Sequence, residues 1–208
     1  MSDIILELRD VKKWFPVRRN LTQLIKGEQN WVKAVDGVSL KIRRGEIFGL
    51  IGESGCGKTT TGKLIMKLMD PTDGQIIFNG EDVTHLDKER LGQYKRNVQM
   101  IFQDPYASMN PRFKAVDVLT EPLEIHGIGD TRVEREEMAA KALEEVKLTP
   151  PEDFLGRYSH MLSGGQRQRL ATARTLILSP DFIVADEPVS MIDLSTRAEI
   201  LQMMKEVQ

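Results

Sequence analysis

Gly52-Glu53-Ser54-Gly55-Cys56-Gly57-Lys58-Thr59 is the stretch on which the reading of this chain turns. It fits the spacing G-x-x-x-x-G-K-[ST]. The apolar run Glu46–Ile51 leads into it, and Leu64, Ile65, Leu68 and Met69 follow at helical spacing over Lys58–Met69. Glycines let successive backbone N–H groups turn inward as a nest for phosphate oxygens, and a helix opening at Gly57 adds its positive end. The stretch therefore predicts strand, phosphate-binding turn and helix rather than an ordinary glycine turn. Every residue from Gly52 to Thr59, with Thr60 behind them, is a candidate nucleotide contact. Lys58 is placed to reach the β- and γ-phosphates, and Thr59 to offer its hydroxyl to Mg2+.

Two further motifs lie downstream. Asp186-Glu187 ends the run Phe182-Ile183-Val184-Ala185, which predicts a buried strand over Asp181–Asp186 with two acids at its carboxyl end. Such acids are costly to bury unless they meet a cation or hydrogen-bond donors. Beside a phosphate loop, Asp186 suits a role on Mg2+, and Glu187 suits orienting and deprotonating an attacking water. Between the two lies Leu162-Ser163-Gly164-Gly165-Gln166. Ser163 there reads as the cap of a helix running to about Leu178, whose free N–H groups favour an anion.

The rest of the 208 residues bounds the answer. A hydrophobic fraction of 40% supports a packed core, and a formal charge of −2 carries no nucleic-acid footprint. The basic cluster Arg18, Arg19 and Lys26 reads as a solvated loop. One cysteine, Cys56, leaves no intrachain disulfide to form and fits a reducing compartment. Met1-Ser2-Asp3 lacks the basic and apolar stretch of a secretory signal, and no apolar run approaches the ~18 residues of a membrane-spanning helix. Any membrane role is expected to be peripheral.

Ile4–Val11, Val32–Ile42, Gln75–Asn79 and Val98–Phe102 read as strands, with a polar loop or hairpin over Pro16–Asn30. Pro105, Pro111 and Pro122 punctuate a loop. Thr131–Leu148 reads as a helix with Val133, Ala140, Leu143 and Val146 inward, closed by Pro150-Pro151. Ser195 is expected to cap a last helix through Val207, patterned by Ile200, Met204 and Val207 and lacking a stop signal. Strands alternating with helices give an α/β core with a mostly helical insertion over about 104–165.

With these motifs in place, the chain resembles the nucleotide-binding subunit of ABC transporters over essentially its whole length. Leu162–Gln166, continued by Arg167-Gln168-Arg169, looks like that family's signature. The resemblance implies a P-loop NTPase core with an N-terminal antiparallel β subdomain and an inserted α-helical subdomain. Residues 1–103 would form the β subdomain and phosphate-loop part, 104–165 the helical insertion, and 166–208 the signature helix, acidic strand and D-loop region. It implies that Ser163, Gly164 and Gly165 bind the γ-phosphate of ATP held by an opposite protomer, with Gln166 also a nucleotide-binding residue. Gln103, after Ile101-Phe102, matches the glutamine that reaches Mg2+ or the lytic water. Glu187, Lys58 and Gln103 would then be catalytic, and Thr59, Gln103 and Asp186 would hold the metal. Phe15 aligns with the aromatic residue that stacks on adenine, with Trp14 the runner-up. Ser190-Met191-Ile192-Asp193 corresponds to the D-loop, its middle bulkier than usual.

A narrower similarity, over Ile101–Arg112, Lys13–Arg19 and Ala34–Ser39, is to the second ATPase of bacterial and archaeal oligopeptide or dipeptide importers. It implies ATP and Mg2+ as cofactors at the cytoplasmic face of a prokaryotic membrane. The implied partners are a second related ATPase subunit or a second copy, two membrane permeases and, indirectly, an extracellular peptide-binding protein. One departure stands out. The family's switch histidine lies beyond the D-loop, whereas His85, His126 and His160 all precede Asp186. The domain is accordingly expected to be incomplete at its C-terminus and to hydrolyse little ATP alone. Rival readings are a soluble ABC-type ATPase of DNA repair or translation, and a fragment that binds nucleotide without cleaving it.

Overall fold

The computed structural model describes residues 3–17, 29–104, 109–190 and 194–206. Arg18, Arg19, Lys26, most of the Pro16–Asn30 loop, Pro105–Ser108, the D-loop residues Met191–Asp193, Val207 and Gln208 lie outside them. The chain forms two compact units, divided between Gln93 and Tyr94.

In the first unit, β1 (Ile4–Pro16) and β2 (Trp31–Arg43) pair antiparallel. β3 (Asp73–Phe78) adds to β1, and the short β4 (Glu81–Asp82) to β3, giving the order β2-β1-β3-β4. Alternation decides the buried face: Leu6, Leu8, Ile76 and Phe78 are buried, and Arg9, Gln75 and Lys41 are not. Register shifts between Leu8 and Lys12, where Asp10 takes a positive φ of 47°. Gly74 passes so close there that a β-carbon would lie 2.4 Å from the Asp10 carbonyl oxygen, so only glycine fits. Lys12 clips the bulge with ion pairs to Asp10 (2.9 Å) and Asp73 (3.0 Å).

α1 spans Lys58–Ile65, shorter than the periodicity predicts. Lys67 adopts φ 51°, its buried ammonium hydrogen-bonds the Thr84 carbonyl and pairs with Asp70 at 3.5 Å, and Leu68 is left exposed. The expected strand over Glu46–Ile51 is absent. The segment carries no ladder among the described residues, and Ile47, Phe48, Leu50 and Ile51 are exposed, Ile51 by 95%. An apolar run becomes a strand only where another strand takes up its backbone groups.

α2 (Lys88–Asn97) crosses the division of the chain, and the second unit continues with β5 (Val98–Ile101). α3 (Ala115–Ile125), α4 (Arg132–Glu145) and the short α5 (Glu152–Leu155) follow. α6 (Gly164–Leu176), β6 (Phe182–Ala185) and α7 (Leu194–Glu206) complete it. β5 and β6 pair parallel, from Val98 with Phe182 to Ile101 with Ala185. β6 is half-buried rather than buried, having one neighbouring strand among the described residues.

One core joins the helices: Val118 and Leu119 of α3, Ala139, Ala142 and Leu143 of α4, Leu170 and Ala173 of α6, Ile200 and Met203 of α7. Val133, expected inward, is 65% exposed, because the inward stripe of α4 runs through Ala139, Ala142 and Leu143 to Val146 beyond its end. Pro122 sits inside α3 instead of a loop. α7 begins at Leu194, so Ser195 lies within it and does not precede it as a cap.

Candidate functional site

The phosphate loop of the first unit folds as its glycines require. Gly55 and Gly57 take φ of 83° and 100°. A β-carbon on Gly57 would stand 2.3 Å from the Ala34 carbonyl oxygen, so β2 and the loop meet where no side chain fits. Gly57 precedes α1 with no side-chain cap hydrogen bond, at the helix end whose dipole favours an anion. Lys58 arches back, its Nζ donating to the carbonyls of Gly52 and Glu53 at 2.7 Å each. It also lies 3.8 Å from Cys56 Sγ, whose thiol is exposed. Thr59 is exposed on the opening turn of the helix.

The two aromatic candidates differ in freedom. The Trp14 indole N–H donates to Asp36 Oδ1 at 2.9 Å, and Lys33 Nζ lies over its ring at 4.5 Å. Lys33 and that indole together hold the Asp36 carboxyl below its usual range. Phe15 is 39% exposed, and among the described residues its ring meets Lys13 Nζ at 5.4 Å without such a tether.

In the second unit the parallel pairing of β5 with β6 brings together residues 84 positions apart. Ile101 faces Ala185 as the last pair, and the Asp186 N–H continues the ladder by donating to the Ile101 carbonyl at 3.0 Å. Gln103 and Glu187 each lie two residues further along the same direction. Their side chains meet there, Gln103 Nε2 donating to Glu187 Oε2 at 2.9 Å. This bond uses the amide nitrogen and leaves Gln103 Oε1 for a cation or water.

Glu187 holds its place at a backbone cost. It takes φ 46°, a left-handed conformation that β-carbon sterics disfavour by about 1–2 kcal/mol. Ser190 locks the turn, its N–H and Oγ–H both donating to the Glu187 carbonyl at 3.0 Å. Nothing in the spacing of Ser190 signals this, since the motif names the residue and not its bond.

Ser163 caps α6 reciprocally. Its Oγ accepts from the Gln166 N–H at 3.2 Å, and Gln166 Oε1 accepts from the Ser163 N–H at 3.1 Å. Gln166 is thus engaged in the cap, while the N–H groups of Gly164 and Gly165 lie in the first turn, where a helix supplies no acceptor. Behind the cap, the buried Arg167 donates to the Ser159 and Leu162 carbonyls at 2.8 Å and to that of His160 at 3.2 Å. His160 Nδ1 is 3.0 Å from the Pro111 carbonyl, and its ring stacks on Tyr158.

A phosphate loop, a glutamine bonded to an acid at parallel strand ends and a capped glycine-rich helix start define a class of nucleotide-binding cassettes. The family model described as ABC transporter matches residues 35–190, and the chain belongs to that family. It is 48% identical to the oligopeptide transport ATP-binding protein AppF of Bacillus subtilis (strain 168), across 100% of this chain and 61% of that protein. The oligopeptide transport ATP-binding protein OppF of the same strain is 44% identical, across 100% and 65%. A putative peptide import ATP-binding protein of Brucella ovis is 51% identical, across 85% and 55%. The chain therefore spans between 55% and 65% of the length of these relatives.

Among solved structures, the ATP-binding cassette MJ0796, a dimer in a post-hydrolysis state bound to ADP and Pi, superposes with a TM-score of 0.82. It shares 29% identity, over 98% of this chain and 82% of that one. A second dimeric structure of MJ0796 gives a TM-score of 0.83 at the same identity and coverage. The fold is the α/β architecture of these cassettes, with an antiparallel sheet, a parallel sheet and helices.

Proposed function

We propose that the intact protein is the ATP-hydrolysing subunit of an ABC importer for peptides. The observation that carries this reading is the Gln103–Glu187 hydrogen bond at the carboxyl ends of β5 and β6. A glutamine amide and a carboxylate held together there are the groups that position a water and accept its proton. Lys58 and the N–H groups at the start of α1 suit the triphosphate, and Phe15, the freer ring, suits the adenine.

In the proposed reaction a water oxygen attacks the γ-phosphorus, the bond to the β–γ bridging oxygen breaks, and ADP departs with the electron pair. Glu187 takes the water's proton. The oxygens assigned to a metal, the Thr59 hydroxyl in the first unit and Gln103 Oε1 and the Asp186 carboxylate in the second, are each hard donors of the kind Mg2+ prefers. When bound, Mg2+ neutralises charge on the β- and γ-phosphates. Ser163, Gly164 and Gly165 are assigned to the γ-phosphate of a nucleotide on a facing ATPase subunit, so that ATP closes the pair and hydrolysis reopens it. The names of AppF, OppF and the Brucella relative support a peptide cargo, and no helix of the described residues is long and apolar enough to cross a membrane. Permease partners and a place at the cytoplasmic membrane face follow from that reading.

The test is uptake of labelled peptides by cells carrying the full-length gene with its neighbouring transporter genes, beside ATP hydrolysis by the purified assembly. Peptide-stimulated hydrolysis with uptake lost in Glu187→Gln cells is the expected result. Hydrolysis with uptake untouched by that variant overturns the assignment.

A further inference from the structure

The signature serine is held from behind by the side chain that follows Gln166. Arg167 is 3% exposed and lies one helical turn beyond Ser163, so the two share a face of α6. Its backbone N–H donates to the Ser163 carbonyl at 2.8 Å, closing the first turn. Its guanidinium turns back along the chain instead of out to solvent. Nε donates to the Ser159 carbonyl at 2.8 Å, and Nη2 to those of Leu162 (2.8 Å) and His160 (3.2 Å). These belong to the turn that delivers Ser163 to the helix. That turn is anchored at its far end by the Ser159 N–H donating to the Phe113 carbonyl at 3.2 Å, and next to Ser163 by the buried Leu162 side chain.

A guanidinium presents several N–H donors in one rigid plane, whereas an ammonium offers rotating donors at one point. The fork therefore sets the angle between the turn and α6, and with it the direction of Ser163 Oγ. It also draws three carbonyl oxygens, each repulsive to an anion, onto a buried cation. What remains at the exposed end of the helix is a hydroxyl and two glycine N–H groups. Burying a charge is expensive unless its donors are used, so this arginine is a costly way to fill space and an effective way to aim a turn.

We propose that Arg167 is a positioning residue for the signature serine, acting on ATP turnover through the carbonyls of Ser159, His160 and Leu162. The proposal rests on the assignment of Ser163 to the γ-phosphate. It predicts that losing the fork slows hydrolysis while nucleotide binding to the phosphate loop persists.

The experiment is a double-mutant cycle in the full-length protein assembled with its companion subunits, reading kcat, KM and the affinity for a fluorescent ATP analogue. Arg167→Met is expected to lower kcat by about tenfold with analogue affinity within about twofold of wild type. In the Ser163→Ala background the same change is expected to add less than about twofold, because both act on one contact. Wild-type kcat in Arg167→Met overturns the proposal, and so do losses that simply multiply. If Arg167→Met does not fold, Arg167→Lys, which keeps the charge but not the fork, takes its place under the same two criteria. Wild-type kcat in Ser163→Ala removes the underlying γ-phosphate assignment instead. A slow Ser163→Ala beside a fast Arg167→Met removes only the role of Arg167.

Discussion

Glu187 shows how far a single residue is determined by its neighbours. Its left-handed backbone, the Ser190 lock and the Gln103 amide hold one carboxylate oxygen in a hydrogen bond. Removing the base without removing the shape tests this arrangement. Glu187→Gln in the full-length protein is expected to slow phosphate release by at least about 100-fold, the scale of a lost general base. Titration with a fluorescent nucleotide is expected to show binding within a few-fold of wild type. Hydrolysis at the wild-type rate would mean that another group takes the proton. A second expectation concerns Cys56, whose exposed Sγ lies beside the Lys58 ammonium inside the loop. Maleimide should modify it and block nucleotide binding, with prior ATP protecting, as followed by intact mass and binding together. A fully alkylated protein that still binds ATP would show that the loop tolerates the adduct.

At the scale of elements, strands and helices were legible where their partners are near in sequence. The strands over Ile4–Val11 and Val32–Ile42 and the helix over Thr131–Leu148 were read from alternation and helical spacing, and β1, β2 and α4 form there, α4 with Thr131 Oγ accepting the Glu134 N–H at 3.2 Å. The run Glu46–Ile51 was not legible in the same way, because its apolar residues alone say nothing of the strand that must pair with them. Pro122 misled for a related reason: packing of Val118, Leu119 and Leu123 carries α3 through a residue that local propensity would use as a break. The antiparallel sheet also makes a pH prediction. Arg9 hydrogen-bonds the Glu7 carboxyl, and Lys41 does so from β2, which lowers its pKa to about 2 from 4.5. A carboxyl depressed on folding stabilises the fold above its unfolded value and loses that contribution as pH falls through the folded one. Glu7→Gln is therefore expected to lower the melting temperature at pH 7, with the gap to wild type closing between pH 4.5 and about 2. An unchanged gap across that range in a thermal melt series would show that the two cations do not act through Glu7's charge.

At the scale of the whole molecule, the proposed cycle makes association depend on nucleotide. In the full-length protein, Glu187→Gln with ATP and Mg2+ is expected to sediment as an associated pair, and without ATP as separate subunits. Association that ignores nucleotide would break the link between the signature turn and the γ-phosphate. This chain spans 61% of the length of AppF and 65% of that of OppF. Assays of turnover and transport accordingly belong to the full-length protein.

The phosphate loop, the acid pair and the signature were readable in the residues because each is a contiguous run whose chemistry is local. Glycines permit the left-handed turns, a lysine follows them, and a serine with glutamine three positions on caps a helix. What only the tertiary structure decided is which distant groups meet. The parallel register of β5 with β6 sets Gln103 against Glu187, and the turn before α6 folds back so that Arg167 grips it. No motif contains either contact: the first depends on long-range strand pairing, and the second, though within eight residues, on where core packing leaves the turn.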